Sequence, residues 1–140
     1  MNETSYNQIK AEGLMGERMN EPKYNYKSLE AYKEAKALVL MVYRLLKKFP
    51  KEETYALCDQ LRRAVISVPS NLAEGSGRYS TKEQLHFLEI AYGSLLEVEC
   101  QMDIAHDLEY ISTDDLNEAN LQIMRVAALL AGMRNKRVKG

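Results

Sequence analysis

Phe87-Leu88-Glu89-Ile90-Ala91-Tyr92-Gly93-Ser94-Leu95-Leu96-Glu97-Val98-Glu99 is the stretch whose periodicity decides the fold. Continued to Met102 and Ala105, its apolar seam reads Leu88, Ala91, Leu95, Val98, Met102, Ala105, with steps of three and four in strict alternation. That spacing keeps one narrow stripe on one side of an α-helix and matches the seam of a left-handed helix bundle. Three more stretches repeat it: Ala31, Ala35, Leu38, Val42, Leu45, Phe49; Cys58, Leu61, Val65, Val68, Leu72; and Leu116, Ala119, Ile123, Val126, Leu130, Met133. Four seams in one chain predict an all-α, antiparallel, up-down-up-down, left-handed four-helix bundle around one core. The helices are expected at 29–49, 51–74, 80–109 and 113–135.

The punctuation between the seams agrees. Phe49-Pro50 ends the first helix, because the residue before proline avoids the helical region. Gly75 and Gly77 are read as ending the second by supplying positive φ. Ser80-Thr81-Lys82-Glu83 has the form of a capping box for the third helix. Ser112-Thr113-Asp114-Asp115 opens the fourth, with two carboxylates at the positive end of its dipole. Pro69 falls inside the second helix, where it removes the N–H that would reach the Val65 carbonyl and crowds that carbonyl. A kink is expected there, either to curve the helix around its neighbours or to shape a binding surface, with Ser67, Ser70 and Asn71 satisfying freed backbone groups. Residues 1–27 lack a sustained period and read as a mobile arm with a short helical turn near Gln8 to Leu14. Residues 28–135 form the bundle and 136–140 a basic C-terminal tail.

Composition excludes several classes. The 140 residues allow one domain, 46% apolar residues supply a core, and a formal net charge of −1 provides no global attraction to nucleic acid or membrane. The longest apolar run, Ala37 to Tyr43, is far short of the roughly 20 residues of a membrane span. The polar N-terminus lacks the apolar stretch of a signal peptide, and Cys58 and Cys100 read as small buried hydrophobes in a reducing, cytoplasmic setting. Neither a cofactor nor catalysis is expected. Glu83-Gln84-Leu85-His86 has di-iron spacing, but His106 lies on the same helix and no other helix offers a His. Gly75-Ser76-Gly77 reads as a capped turn before it reads as an anion site.

One longer stretch resembles a known family. Gln60-Leu61-Arg62-Arg63-Ala64-Val65-Ile66-Ser67-Val68-Pro69-Ser70-Asn71-Leu72-Ala73-Glu74-Gly75, followed by Gly77-Arg78, and the Phe87–Glu99 stretch resemble the two signatures of the small bacterial four-helix-bundle proteins associated with intervening sequences of large-subunit rRNA genes. The resemblance runs from about Tyr26 to Leu130. It implies a cytoplasmic bundle that assembles into a pentamer. A structurally similar protein is the accessory subunit of diversity-generating retroelements, so the resemblance also implies nucleic acid and a reverse transcriptase as partner classes.

Three surface features bear on function. Glu97 and Glu99 flank the seam residue Val98, so at least one is expected to be partly buried against Arg62 or Arg63. The first helix is apolar nearly all round at Val39, Leu40, Met41 and Tyr43, and the fourth adds Leu121, Met124 and Ala128 off its seam; this surplus predicts a homo-oligomer. Charge is also uneven. Glu97 to Glu118 holds eight acidic residues and no Lys or Arg, whereas Arg134, Lys136, Arg137 and Lys139 cluster at the C-terminus. An antiparallel bundle brings that cluster beside Arg78, Tyr79 and Lys82, creating a basic rim. It is either a solvated end that suits the helix dipole or a surface for RNA or single-stranded DNA, with Tyr79 available to stack on a base. The function expected is a non-catalytic oligomeric accessory or scaffold; the alternative is a protein assembly with no nucleic-acid role.

Overall fold

The computed structural model describes residues 2–5 and 25–139. Every regular element among the described residues is helical. The four main helices are α1 (Glu30–Leu46), α2 (Leu57–Ser76), α3 (Thr81–Asp107) and α4 (Thr113–Lys139), with 3-10 turns at Tyr26–Ser28 and Lys51–Glu53. The turn expected near Gln8 to Leu14 lies outside the described residues. No described helix is long and apolar enough to cross a membrane.

The core is the set of seams. All six seam residues of α1 and its exit, all five of α2 and all six of α3 are buried, as are Ala119, Ile123, Val126 and Leu130 of α4. α1 packs on α2 and α4, and α3 packs on the same two helices. Polar pairs mark the register between neighbours. Ser94 Oγ donates to Ser67 Oγ at 2.8 Å and Gln101 Nε2 to Gln60 Oε1 at 3.3 Å, so rising numbers on α3 meet falling numbers on α2. Gln122, buried on α4, donates through Nε2 to the Glu34 carbonyl at 2.9 Å and to Glu34 Oε2 at 2.7 Å. A polar group placed this deep stabilises only because both contacts are made.

The helix limits depart from expectation at α2 and α4. After Pro50 the chain makes a 3-10 turn, and Ala56 adopts φ −118°, ψ −103°, so α2 begins at Leu57 and not at 51. Glu53 supplies the missing cap: its Oε2 accepts the Leu57 N–H at 3.2 Å, and its Oε1 accepts the Tyr110 hydroxyl at 3.1 Å. Partial burial, then the bond to Glu53, push the Tyr110 phenol above its ordinary value. At the other end of the chain, α4 continues to Lys139, so most of the residues read as a basic tail stand on the helix.

The glycines after α2 act through space, not through positive φ. Gly77 is the C-cap at φ −87°, and Gly75 is a buried residue inside the helix. A Cβ at Gly75 would lie 2.8 Å from Phe87 Cβ. The residue is therefore required by the close approach of α2 and α3. Positive φ occurs instead at Glu109 (65°), which ends α3: Tyr110 N–H bonds the Ala105 carbonyl and Glu109 N–H the His106 carbonyl, both at 2.9 Å, in a Schellman-like turn.

Helix starts follow the capping signals. Ser80 Oγ accepts the Glu83 N–H at 3.1 Å. At α4 the box is reciprocal, Ser112 Oγ accepting Asp115 N–H at 3.0 Å and Asp115 Oδ2 accepting Ser112 N–H at 3.2 Å. Lys48 Nζ donates to the same Oδ2 at 2.8 Å, tying the end of α1 to the start of α4. Lys48 and the Ser112 N–H hold the Asp115 carboxyl below the usual carboxylate range.

Two predictions follow from these local arrangements. Gly75→Ala gains roughly 1 kcal/mol of helix propensity but forces an overpacked contact of about 1–3 kcal/mol, so urea unfolding is expected to show net destabilisation. Gly132→Ala, with nothing within 4 Å of its added Cβ, is expected to stabilise by about 0.5–1 kcal/mol. Equal effects at both positions contradict the packing account. For Asp115 the folded pKa is depressed, so its contribution is complete above the unfolded value of about 3.9 and is lost as pH falls through the folded one. Asp115→Asn should cost about 1 kcal/mol at neutral pH, and the difference from wild type should shrink below about pH 4. A pH-independent difference sinks this assignment.

Candidate nucleic-acid interface

The basic pole is built by α4 reaching the turn between α2 and α3. Arg137 Nε donates to Gln84 Oε1 at 3.0 Å and its Nη1 to the Met133 carbonyl at 3.0 Å. Gln84 in turn donates through Nε2 to the Arg78 carbonyl at 2.7 Å. One glutamine thus joins the exit of α2, the first turn of α3 and the last turns of α4. No charge or motif marks Gln84 in the sequence, and only the fold reveals its role.

The seven residues expected here do not all serve alike. Arg78 Nη2 bonds Glu74 Oε1 at 3.1 Å, and its Cζ sits 4.8 Å from the Phe87 ring centroid. That cation–π contact and ion pair hold the guanidinium against the protein. Arg137 is half-buried and committed to Gln84. Lys82, Arg134, Lys136 and Lys139 are exposed and make no ion pair among the described residues. At about 100° per residue, Arg134 and Arg137 share one side of α4, whereas Lys136 and Lys139 share another. Arg137 reaches the Arg78 carbonyl through Gln84, Arg134 stands with Glu89 and Tyr92 between α3 and α4, and Lys136 and Lys139 lie on a different side of α4. The Tyr79 side chain is 78% exposed. Ser76, read as part of a weak anion site, caps its own helix by donating to the Ala73 carbonyl at 2.7 Å.

Other expected sites are revised. Glu97 and Glu99 are both exposed, because residues on either side of a seam position point about 100° away from it. Arg62 and Arg63 instead pair with Asp59 at 3.1 and 3.8 Å, and Arg62 also bonds the Thr54 carbonyl at 3.3 Å. Cys58 is buried, which pushes its thiol up, but Cys100 is exposed and not a core residue. Asn71 Nδ2 bonds the Ser67 carbonyl at 2.7 Å and Ser67 Oγ at 2.9 Å, two residues from the carbonyl that Pro69 leaves unpaired within the helix. His86 packs edge-on against Phe87, and His106 Nε2 lies 3.0 Å from Thr113 Oγ1.

Of the residues expected at an oligomer interface, Leu40 and Leu121 are both 59% exposed and Met124 is 64% exposed. Tyr43 and Ala128 are exposed as well. Val39 and Met41 differ: they are half-buried against the core. Outside that set, α3 also exposes Tyr92, Leu96 and Ile104. Between α3 and α4 lies an apolar groove of about 650 Å³ whose lining includes Gly93, Ala127 and Ala131. Small residues on facing helices leave this space, a signal visible in the sequence only once the two faces are known to meet.

No curated protein matches the chain. The sequence profile of the family described as 23S rRNA-intervening sequence protein matches residues 27–132, spanning α1, α2, α3 and most of α4. That span takes in Pro69, Gly75, Arg78, Gln84 and Phe87, the residues that set the α2–α3 turn, and on this match the chain belongs to the 23S rRNA-intervening sequence protein family.

Proposed function

We propose that this protein is a non-catalytic, cytoplasmic, homo-oligomeric up-down-up-down bundle that binds RNA or single-stranded DNA through its basic pole. The topology reading is supported by the descending-against-ascending register of the cross-helix pairs and by connections too short for parallel neighbours. A bend of α2 at Pro69 belongs to the same reading. The observation that carries the binding reading is the Arg78–Gln84–Arg137 junction, at whose end of the bundle Lys82, Arg134, Lys136 and Lys139 are exposed and make no ion pair among the described residues. Acidic residues at that pole are fewer: Glu74 is engaged by Arg78, and Glu83 lies in the first turn of α3.

One subunit offers few phosphate contacts, so its binding is weak and sequence-independent. Repetition of the pole in an oligomer raises effective concentration without new contacts. The surplus apolar surface on α1, α3 and α4 supports assembly. A pentamer and a reverse-transcriptase partner rest on family resemblance. A purely structural assembly is the second reading, favoured by the formal net charge of −1 and by the commitment of Arg78 to Glu74.

The test replaces Lys82, Arg134, Lys136 and Lys139 with Gln and leaves Arg137 to hold Gln84. Binding to a structured RNA and to single-stranded DNA is measured across salt. Wild type is expected to weaken steeply with salt, and the variant to bind less tightly with a slope reduced by roughly 0.7 per lost contact on a single strand. Wild type binding neither nucleic acid, or a variant with unchanged affinity and slope, favours the structural assembly. Light scattering should give a mass that is a multiple of 16.0 kDa; a 16.0 kDa particle at micromolar concentration contradicts the oligomer.

A further inference from the structure

Two surfaces of this molecule carry charge that no other described residue answers. On α3, Glu89 and Glu99 are exposed and form no ion pair among the described residues, and Glu97 and Asp103 are alike. On and just after α1, Lys36 and Lys47 are exposed and equally unpaired. The other charges of α1 are engaged locally: Glu30 with Lys33, Arg44 with Glu118, and Glu34 with Gln122. What remains on α1 is positive, and what remains on α3 beyond Lys82 in its first turn is negative. α2 and α4 lie between these helices, so the two surfaces cannot meet within one subunit.

Apolar shape is complementary in the same sense. Leu40 projects from α1 between its two unpaired lysines. The groove between α3 and α4 is about 650 Å³, with Gly93, Ala127 and Ala131 in its wall and Tyr92, Glu89 and Arg134 around it. No Cβ contact would be met within 4 Å at Gly93, so the space there is open to an incoming side chain. The charge spacing also matches. Lys36 and Lys47 are eleven residues apart and Glu89 and Glu99 ten, which at 1.5 Å per residue is about 15–17 Å along either helix axis.

We propose that the α3–α4 groove receives the outward face of α1 from a second copy of this chain, Leu40 entering the groove while Lys36 and Lys47 meet the carboxylates of α3. The contact is heterologous, since each copy offers one face and accepts on another. Repeated, it closes into a ring or grows into a filament. It rests on the homo-oligomer reading above and specifies how the copies meet.

The test uses the full chain and light scattering at a concentration where wild type is assembled. Lys36→Glu with Lys47→Glu, and separately Glu89→Lys with Glu99→Lys, should each weaken association at least tenfold and lower the mass towards that of one chain. All four substitutions together should restore assembly, because the opposed charges are exchanged. Gly93→Leu fills the groove without altering charge and should also dissociate the copies, with circular dichroism confirming that helicity is kept. If wild type is assembled and either charge pair leaves the mass unchanged, or the fourfold variant fails to recover, the interface lies elsewhere and this proposal falls while the oligomer stands. A monomeric wild type overturns both.

Discussion

The close approach of α2 and α3 at Gly75 is the constraint on which the basic end of this molecule depends. Any side chain larger than hydrogen at this position would meet Phe87 Cβ at 2.8 Å, an atom too near its own backbone to move aside cheaply. Because the helices touch there, Phe87 lies under the Arg78 guanidinium and Gln84 reaches the Arg78 carbonyl. The other helix ends are joined by comparable polar ties. Asp115 closes its own capping box and binds Lys48, and Glu53 both caps α2 and accepts from Tyr110. These contacts turn four amphipathic helices into a body with two distinct poles, one basic and one mainly acidic.

The seams were legible because their period is a property of the chain alone. Leu38, Leu61, Leu95 and Val126 are buried where the alternation of three and four puts them. Boundaries were less legible wherever the deciding contact came from far along the chain. The start of α2 depends on Glu53, which also receives a hydroxyl from Tyr110, so that Leu57 and not Lys51 opens the helix. Gly75 looks in the sequence like a terminal glycine with positive φ, but its conformation is helical and its importance is steric.

The candidate site was legible as charge and illegible as geometry. The clustering of Arg134, Lys136, Arg137 and Lys139 is plain in the sequence, yet only Arg137 and Arg134 lie on the side that meets α3. Gln84 and Gln122, the two amides that join helices distant in sequence, carry no charge and break no period that a reader would notice. Adjacency to the seam residue Val98 does not bury Glu97 or Glu99, because a helix turns each neighbour outward. The open space beside Gly93 required both α3 and α4 to be in place before the small residues on the two could be seen to face one another.

Membership of the rRNA-intervening sequence family describes what kind of molecule this is, and the tie between distant basic segments is what gives its pole a chemical meaning. The central claim is that Gln84 and Arg137, 53 residues apart, are physically coupled and so hold the end of α4 against the α2–α3 turn. A double-mutant cycle of Gln84→Ala and Arg137→Ala, read by urea unfolding, measures that coupling. The account predicts an interaction energy of about 1 kcal/mol, as for a partly exposed charge-assisted hydrogen bond. Additive effects, with a coupling indistinguishable from zero, would mean that the end of α4 is not held at the turn and that the basic pole is not a single surface.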